Sequence, residues 1–179
     1  MNQAPRKFHR RIAPWLALPL LITLATGVTY RIGRAWFGMS KDTGNSILHI
    51  HAGGWLGGWG SSAWILLAGG GLLALTLTGL VLAIKSRAKG QPRVAHRVLG
   101  AVLLLPLTAS AVTGMTVHFG GKRLSDQAGD VLMSIHQGSW LGPTLRPFYI
   151  LFIGLGLLVM IGTGVKLTGI FRRKPAASR

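Results

Sequence analysis

LPLLITLATGVT (Leu18–Thr29) returns later in the chain as LPLTASAVTGMT (Leu105–Thr116), with six of twelve residues identical. HAGGWLG (His51–Gly57) returns as HQGSWLG (His136–Gly142), with five of seven identical. GGGLL (Gly69–Leu73) pairs with GLGLL (Gly154–Leu158), and Thr78-Gly79 pairs with Thr163-Gly164. The offset is 87 residues in the first block and 85 in the others. Blocks that recur in the same order at nearly the same offset mark an internal duplication, here of residues 9–87 and 96–173 around a basic linker at 88–95. The duplication sorts the histidines. His9 falls on His96 and His51 falls on His136, while His49 and His118 have no twin.

The repeated blocks are apolar, and so is the chain around them. Of its 179 residues 49% are hydrophobic and 13% charged, with a mean hydropathy of +0.45. Globular domains carry about 25% charged residues. Four apolar stretches lie at roughly 12–31, 63–84, 98–117 and 148–169. Each is about 20 residues, enough for a hydrocarbon core of roughly 30 Å at 1.5 Å per residue. The first, third and fifth polar segments hold 14 of the 20 Lys and Arg residues; the second and fourth hold six, together with all three Asp. That is the positive-inside pattern, with both termini and the 85–97 loop in the cytoplasm. The net charge of +17 therefore sits at the ends of spans, beside membrane lipid, and does not mark a nucleic-acid surface. Residues 6–27 alone read like a signal peptide. The first span is the twin of the third, however, so it is expected to stay as a helix.

These features predict an all-α fold: an integral membrane four-helix bundle built from two parallel two-helix repeats. The repeats are expected to be related by a pseudo-two-fold axis along the membrane normal. Short interfacial helices are expected in the outer loops, near 46–51 and 129–136. Gly57, Gly58 and Gly60 should break the first, and Gly142-Pro143 the second. Trp55, Trp59, Trp64 and Trp140 read as an interfacial aromatic belt. Gly69–Gly71 read as close helix packing. The glycine-rich run 53–60 lacks the Lys-Ser or Lys-Thr of a phosphate loop.

The chain has no Glu and no Cys. That excludes a Glu/Asp catalytic pair, an Fe–S cluster, a thiolate ligand and covalent haem attachment. The twinned histidines are the remaining chemistry. A histidine in a membrane helix is costly without a partner and so is a functional candidate; the plain alternative is a water-facing interfacial residue. His9 and His96 open outward-going helices, and His51 and His136 precede inward-going ones. From His9 to Gly27 is 18 residues, about 27 Å along a helix, so one metal cannot collect all four. Two sites follow, each with one histidine from each repeat. Two imidazoles across a flat cavity suit a six-coordinate haem iron. Zinc normally takes three or four His, Cys or carboxylate ligands, and copper with two histidines stays open. Thr26-Gly27 and Thr113-Gly114 lie at the depth of His51 and His136. Thr78-Gly79 and Thr163-Gly164 lie at the depth of His9 and His96. Glycine there would let a large planar ring approach the backbone, ordinary small-residue packing being the alternative. Arg10, Arg11, Arg93 and Arg97 inside, and Arg31, Arg34 and Arg146 outside, are placed to meet haem propionates. His49 and His118 are rival ligands.

Phe8-His9-Arg10, Leu48–Gly57 with Gly71 and Thr78-Gly79, His96–Gly100 and Ile135–Gly142 resemble the PepSY-associated transmembrane family. That family includes inner-membrane reductases, among them ferric-siderophore reductases. The resemblance covers nearly the whole chain. It implies a protein with two b-type haems that passes electrons across the membrane, in a minimal form without soluble PepSY domains. The ligands would be His9 and His96 for one haem and His51 and His136 for the other. Donor and acceptor, whether proteins or small molecules, would dock at the two faces, and the chain could be a subunit of a larger membrane complex. The competing expectations are a haem-free scaffold or accessory subunit and a transporter. Against the transporter stands the lack of intramembrane acids.

Overall fold

The computed structural model describes residues 4–85 and 90–169. The ends of the expected repeats (86–87 and 170–173) and the start of the linker (88–89) lie outside the described residues. Among the described residues there is no strand. In chain order they form α1 (Ala4–Trp36), α2 (Lys41–His51), a 3-10 turn (Gly54–Leu56) and α3 (Gly57–Ile65). A π turn (Leu66–Gly70) joins α3 to α4 (Gly71–Lys85). Then come α5 (Gln91–Gly120), a 3-10 turn (Gly121–Arg123), α6 (Asp126–Gln137), a 3-10 turn (Ser139–Leu141) and α7 (Gly142–Thr168).

Four helical stretches among the described residues are long and apolar enough to cross a membrane: Ala4–Trp36, Gly54–Lys85, Gln91–Arg123 and Ser139–Thr168. Their apolar windows have mean hydropathies of 1.7, 2.2, 1.9 and 2.3. The first three contain the apolar stretches read from the sequence and extend past them into the polar flanks; the fourth starts nine residues before its stretch and ends one residue short of it. Pro14 and Pro19 lie inside α1 and Pro106 inside α5 without ending them, as neighbouring helices allow in apolar surroundings.

The short helices start on serine caps. Ser40 Oγ accepts from the Thr43 amide at 3.1 Å, and Ser125 Oγ from the Ala128 amide at 3.3 Å. Such caps contribute about 1 kcal/mol each. The turns that follow explain the repeated H-x-G-x-W-L-G motif. Gly53 and Gly138 have φ of +69° and +68°, and Gly57 and Gly142 have φ of +76° and +77°. Side-chain-bearing residues rarely adopt that region. In the first half the helix break therefore falls at Gly53 and Gly57. Gly58 and Gly60, expected to share in it, lie within α3.

A second expectation is corrected at Trp64, which is not part of an exposed belt. Trp59 is 94% exposed, but Trp64 is only 8% exposed and donates its Nε1–H to the His51 carbonyl at 3.2 Å. It packs edge-on against Trp55, and the twin positions do the same with Trp140 and Tyr149.

α1 packs against α7 and α4, and α5 against α4 and α7; α2 lies on α1 and α6 on α5. The buried centre is Leu103, Leu107 and Leu157, with Leu24, Leu72, Ile153, Met160 and Ile161 around it. Gly156 admits Leu103, Gly69 admits Met115 and Gly71 admits Leu16. Large apolar side chains such as Leu18, Leu77, Leu105, Phe152 and Leu155 stay exposed along the long helices. Lipid suits those faces better than water.

Candidate functional site: two histidine pairs

The structure brings the twin histidines together. His9 on α1 and His96 on α5 have ring centroids 6.4 Å apart with planes at 83°. His51, the last residue of α2, and His136 on α6 have centroids 6.3 Å apart with planes at 72°. All four rings are partly buried.

Each ring is anchored through Nδ1. At the inner level His9 Nδ1 lies 2.7 Å from Thr78 Oγ1, and His96 Nδ1 lies 2.9 Å from Thr163 Oγ1. Those hydroxyls already donate their own protons to main-chain carbonyls. Thr78 donates to Ala74 at 2.6 Å and Thr163 to Val159 at 2.8 Å. The threonine oxygens must therefore accept, and Nδ1 must carry the proton. The Met160 carbonyl also accepts from His96. At the outer level His51 Nδ1 donates to the Thr23 carbonyl at 2.9 Å, with Thr26 Oγ1 at 3.1 Å. His136 Nδ1 donates to the Ser110 carbonyl at 2.8 Å. A carbonyl can only accept, so the same tautomer follows. In all four rings Nε2 keeps its lone pair, on the far side of the ring from the anchor.

The glycines act on the imidazoles. In a helix each Cβ leans toward the N-terminus, so the side chain four residues on shields a given carbonyl. Gly27 follows Thr23 by four, Gly114 follows Ser110 by four and Gly164 follows Met160 by four. Having no Cβ, these glycines uncover the carbonyls that the histidines bond. A Cβ at Gly114 would lie 2.7 Å from His136 Cε1, and one at Gly27 would lie 3.2 Å from His51 Cε1. At Gly164 the distance to His96 Cε1 would be 3.4 Å, and at Gly79 to His9 Cε1 3.6 Å. The space read from the sequence as clearance for a planar cofactor is occupied, at these four positions, by the histidine rings themselves.

Burial pushes the His51 imidazole down to about 4; His136 adds to this and the bond to Thr23 opposes it. Burial also lowers His136, against the bond to Ser110. Both are neutral imidazoles at neutral pH, as a metal ligand must be.

The spacing of each pair fits one metal between two rings. A metal–imidazole bond is about 2.0–2.1 Å, and the centre of a five-membered ring with bonds near 1.33 Å lies about 1.1 Å behind its nitrogen. Two imidazoles holding one metal between them would therefore have centroids about 6.3 Å apart. Among the described residues no group of three or more His, Cys, Asp or Glu gathers. Among the described residues each site thus offers two imidazoles and no tetrahedral shell. Such a site suits a metal that brings its remaining ligands with it.

The other expected residues fall differently. Thr113 is buried and bonds only carbonyls of its own helix, Ala109 at 2.6 Å and Ser110 at 3.3 Å. His136 instead has Ser110 Oγ at 3.4 Å. Arg10 donates to the Thr168 carbonyl at 3.0 Å, in an open groove lined by Arg6, Lys7, Arg11, Pro14 and Trp15. Arg97 is exposed on α5. Neither rival histidine joins a pair: His49 is exposed, and His118 Nε2 lies 3.2 Å from Ser62 Oγ. The carbonyls of Thr23, Ser110 and Met160 are parts of the site that residue types alone did not reveal. Thr23 Oγ1 is buried beside the outer pair with no hydrogen-bond partner.

Comparison with protein-family models, curated proteins and solved structures finds no match for this chain.

Proposed function

We propose that this chain is a b-type cytochrome of the bacterial inner membrane that binds two haems, each between two histidines, and carries electrons across the bilayer. His9 and His96 hold the cytoplasmic-side haem, and His51 and His136 the outer one. Bound haem supplies a one-electron Fe(III)/Fe(II) couple, whose potential is set by its imidazole ligands, their hydrogen bonds and burial.

The chain's own residues bind and orient. Thr78 and Thr163 on one level, and the Thr23 and Ser110 carbonyls on the other, hold Nδ1–H so that each Nε2 is free to ligate. Hydrogen bonds from the far nitrogen of a ligating imidazole raise its basicity and fix the ring's orientation. Gly27, Gly114 and Gly164 let the rings reach those acceptors. Apolar side chains keep water from the space between the levels.

The observation that carries this reading is the pair of spacings, 6.4 and 6.3 Å, between rings whose Nδ1 atoms are all anchored. The helix contacts support a four-helix bundle of two parallel repeats about an axis along the membrane normal. The charge distribution supports cytoplasmic termini. The motifs similar to the PepSY-associated transmembrane family support a reductase or electron-conduit role, from the cytoplasm toward an outer acceptor of the ferric-siderophore type. The electron donor, the acceptor and a larger host complex belong to the same proposal.

A pyridine haemochrome assay on the purified chain tests it. Two haems b per chain are expected, and one after His51→Ala or His136→Ala. A chain that takes up no haem refutes the proposal and leaves the haem-free scaffold.

A further inference from the structure

Three arginines lie near the outer pair in sequence terms, and the structure separates them. Arg34 Nη1 donates to the Met39 carbonyl at 2.7 Å. Arg31 on α1 and Arg146 on α7 instead converge on Gln137 of α6. Arg31 Nη2 donates to Gln137 Oε1 at 3.0 Å, Arg146 Nη2 donates to the same oxygen, and Arg146 Nε donates to the Gln137 carbonyl at 3.1 Å. Both guanidiniums are partly buried.

Two cations sharing one neutral amide oxygen is an unbalanced arrangement, because like charges at short range repel unless an anion joins them. Among the described residues no carboxylate does so. The chain's only acids are Asp42, Asp126 and Asp130, and the ionisable groups facing Arg146 are Arg31 and Tyr30. The position is specific. Arg31 stands one turn beyond Gly27, the notch that receives His51, and Gln137 directly follows His136. At the twin positions of Arg31 and Arg146 stand His118 and Ser61, so the cations occupy one side of the outer pair only.

We propose that Arg31 and Arg146, positioned by Gln137, form a clamp for a carboxylate on the α1/α7 side of the His51–His136 site. The guanidinium fork matches a carboxylate in geometry as well as charge. The carboxylate has two possible sources. One is a propionate of the outer haem, which rests on the function proposed above and orients the carboxylate edge of that haem between α1 and α7. The other is a soluble carboxylate arriving from the outer face.

The test titrates the haem-depleted full chain in detergent with haem b and with haem b dimethyl ester, whose carboxylates are capped. For a propionate, one of the two sites prefers haem b by roughly 10- to 100-fold per arginine. Arg31→Gln/Arg146→Gln abolishes that preference, and the inner site serves as the internal control of folding. Arg31→Lys/Arg146→Lys keeps the charge but loses the fork and falls between. For a soluble carboxylate, haem b and its ester bind alike. Citrate then raises the thermal unfolding midpoint of the wild type over chloride at matched ionic strength, and does not raise that of the Gln variant. A wild type that binds neither haem nor ester fails the haem reading alone, and the citrate arm then decides the clamp. Equal binding of haem b and its ester, with no arginine-dependent citrate shift, overturns the clamp.

Discussion

Alanine at Gly114 places a methyl group 2.7 Å from Cε1 and 2.9 Å from Nδ1 of His136. Non-bonded carbons rest about 3.5–4.0 Å apart, so the ring must retreat by roughly 1 Å. Its anchor, the Ser110 carbonyl, is 2.8 Å away, and a retreat of that size takes the bond beyond the roughly 3.2 Å at which such bonds end. The main chain cannot move instead, because Gly114 lies inside the continuous helix α5, whose neighbouring Ala111 and Thr113 are buried. Overpacking costs about 1–3 kcal/mol and the lost hydrogen bond about 1 kcal/mol. Alanine's better helix propensity returns up to about 1 kcal/mol. The net is about 1–3 kcal/mol against the outer site, or roughly 5- to 150-fold in ligand affinity.

Gly79→Ala is the matched control. Its methyl would meet His9 Cε1 at 3.6 Å, an ordinary contact, so the helix-propensity gain stands nearly alone. Gly27→Ala and Gly164→Ala, at 3.2 and 3.4 Å, fall between. The assay is haem retained per chain under competition from excess apomyoglobin, with detergent thermal unfolding of the haem-free chains alongside. The expected order of loss is Gly114, Gly27, Gly164, Gly79. If Gly79→Ala sheds haem as readily as Gly114→Ala, the glycines do not act through the imidazoles and the reasoning fails.

Thr78→Val and Thr163→Val each leave a buried Nδ1–H without its hydroxyl acceptor. Each should weaken retention of the inner haem by roughly 10-fold or more, as losing the hydrogen bond that orients a ligating imidazole does. Thr113→Val should leave both haems in place, because Thr113 bonds only its own helix; absorbance spectra of the three variants decide. A pH dependence follows from His51, whose folded value of about 4 lies below its free value of 6.5. A depressed folded value means that the unfolded chain takes up the proton first. Stability of the haem-free chain should be full above about pH 6.5, fall as pH drops toward 4 by up to roughly 3 kcal/mol, and level off below. Thermal unfolding of wild type against His51→Gln measures it, and an equal acid loss in both assigns the effect elsewhere.

The spans and the pairing of histidines were legible because both are carried by side-chain type. Hydropathy sums over local residues, and a duplicated histidine can be aligned by eye. The acceptors that hold Nδ1 were not legible, because every residue has a carbonyl and nothing in Thr23, Ser110 or Met160 marks theirs as used. The only trace is indirect: a glycine four residues on. The Thr-Gly dipeptides suggest clearance for a cofactor because residue type cannot say which neighbour fills a notch. Trp64 was misplaced for a related reason. An indole suits an interface or a buried hydrogen bond equally, and its acceptor, the His51 carbonyl, lies on another helix. Gln137 carried no signal beyond standing next to a histidine.

Where each anchor lies explains why joining two copies creates two sites. His9 on α1 is held by Thr78 on α4, and His51 on α2 by the Thr23 carbonyl on α1, all within the first half. His96 is held by Thr163 and His136 by the Ser110 carbonyl, all within the second half. Each half therefore orients two imidazoles unaided, and each imidazole lacks only the ring opposite it. What the halves supply to one another is distance. That distance is set where α1 meets α7, and where α5 meets α4 and the π turn before it, at contacts such as Gly154 against Val28 and Gly69 against Met115. Substitutions at these interface glycines should change the spacing of both pairs while leaving every Nδ1 bond intact. Substitutions at the Thr-Gly positions should loosen a single ring. Anchoring and spacing are thus separate functions, placed on separate residues of the same helices.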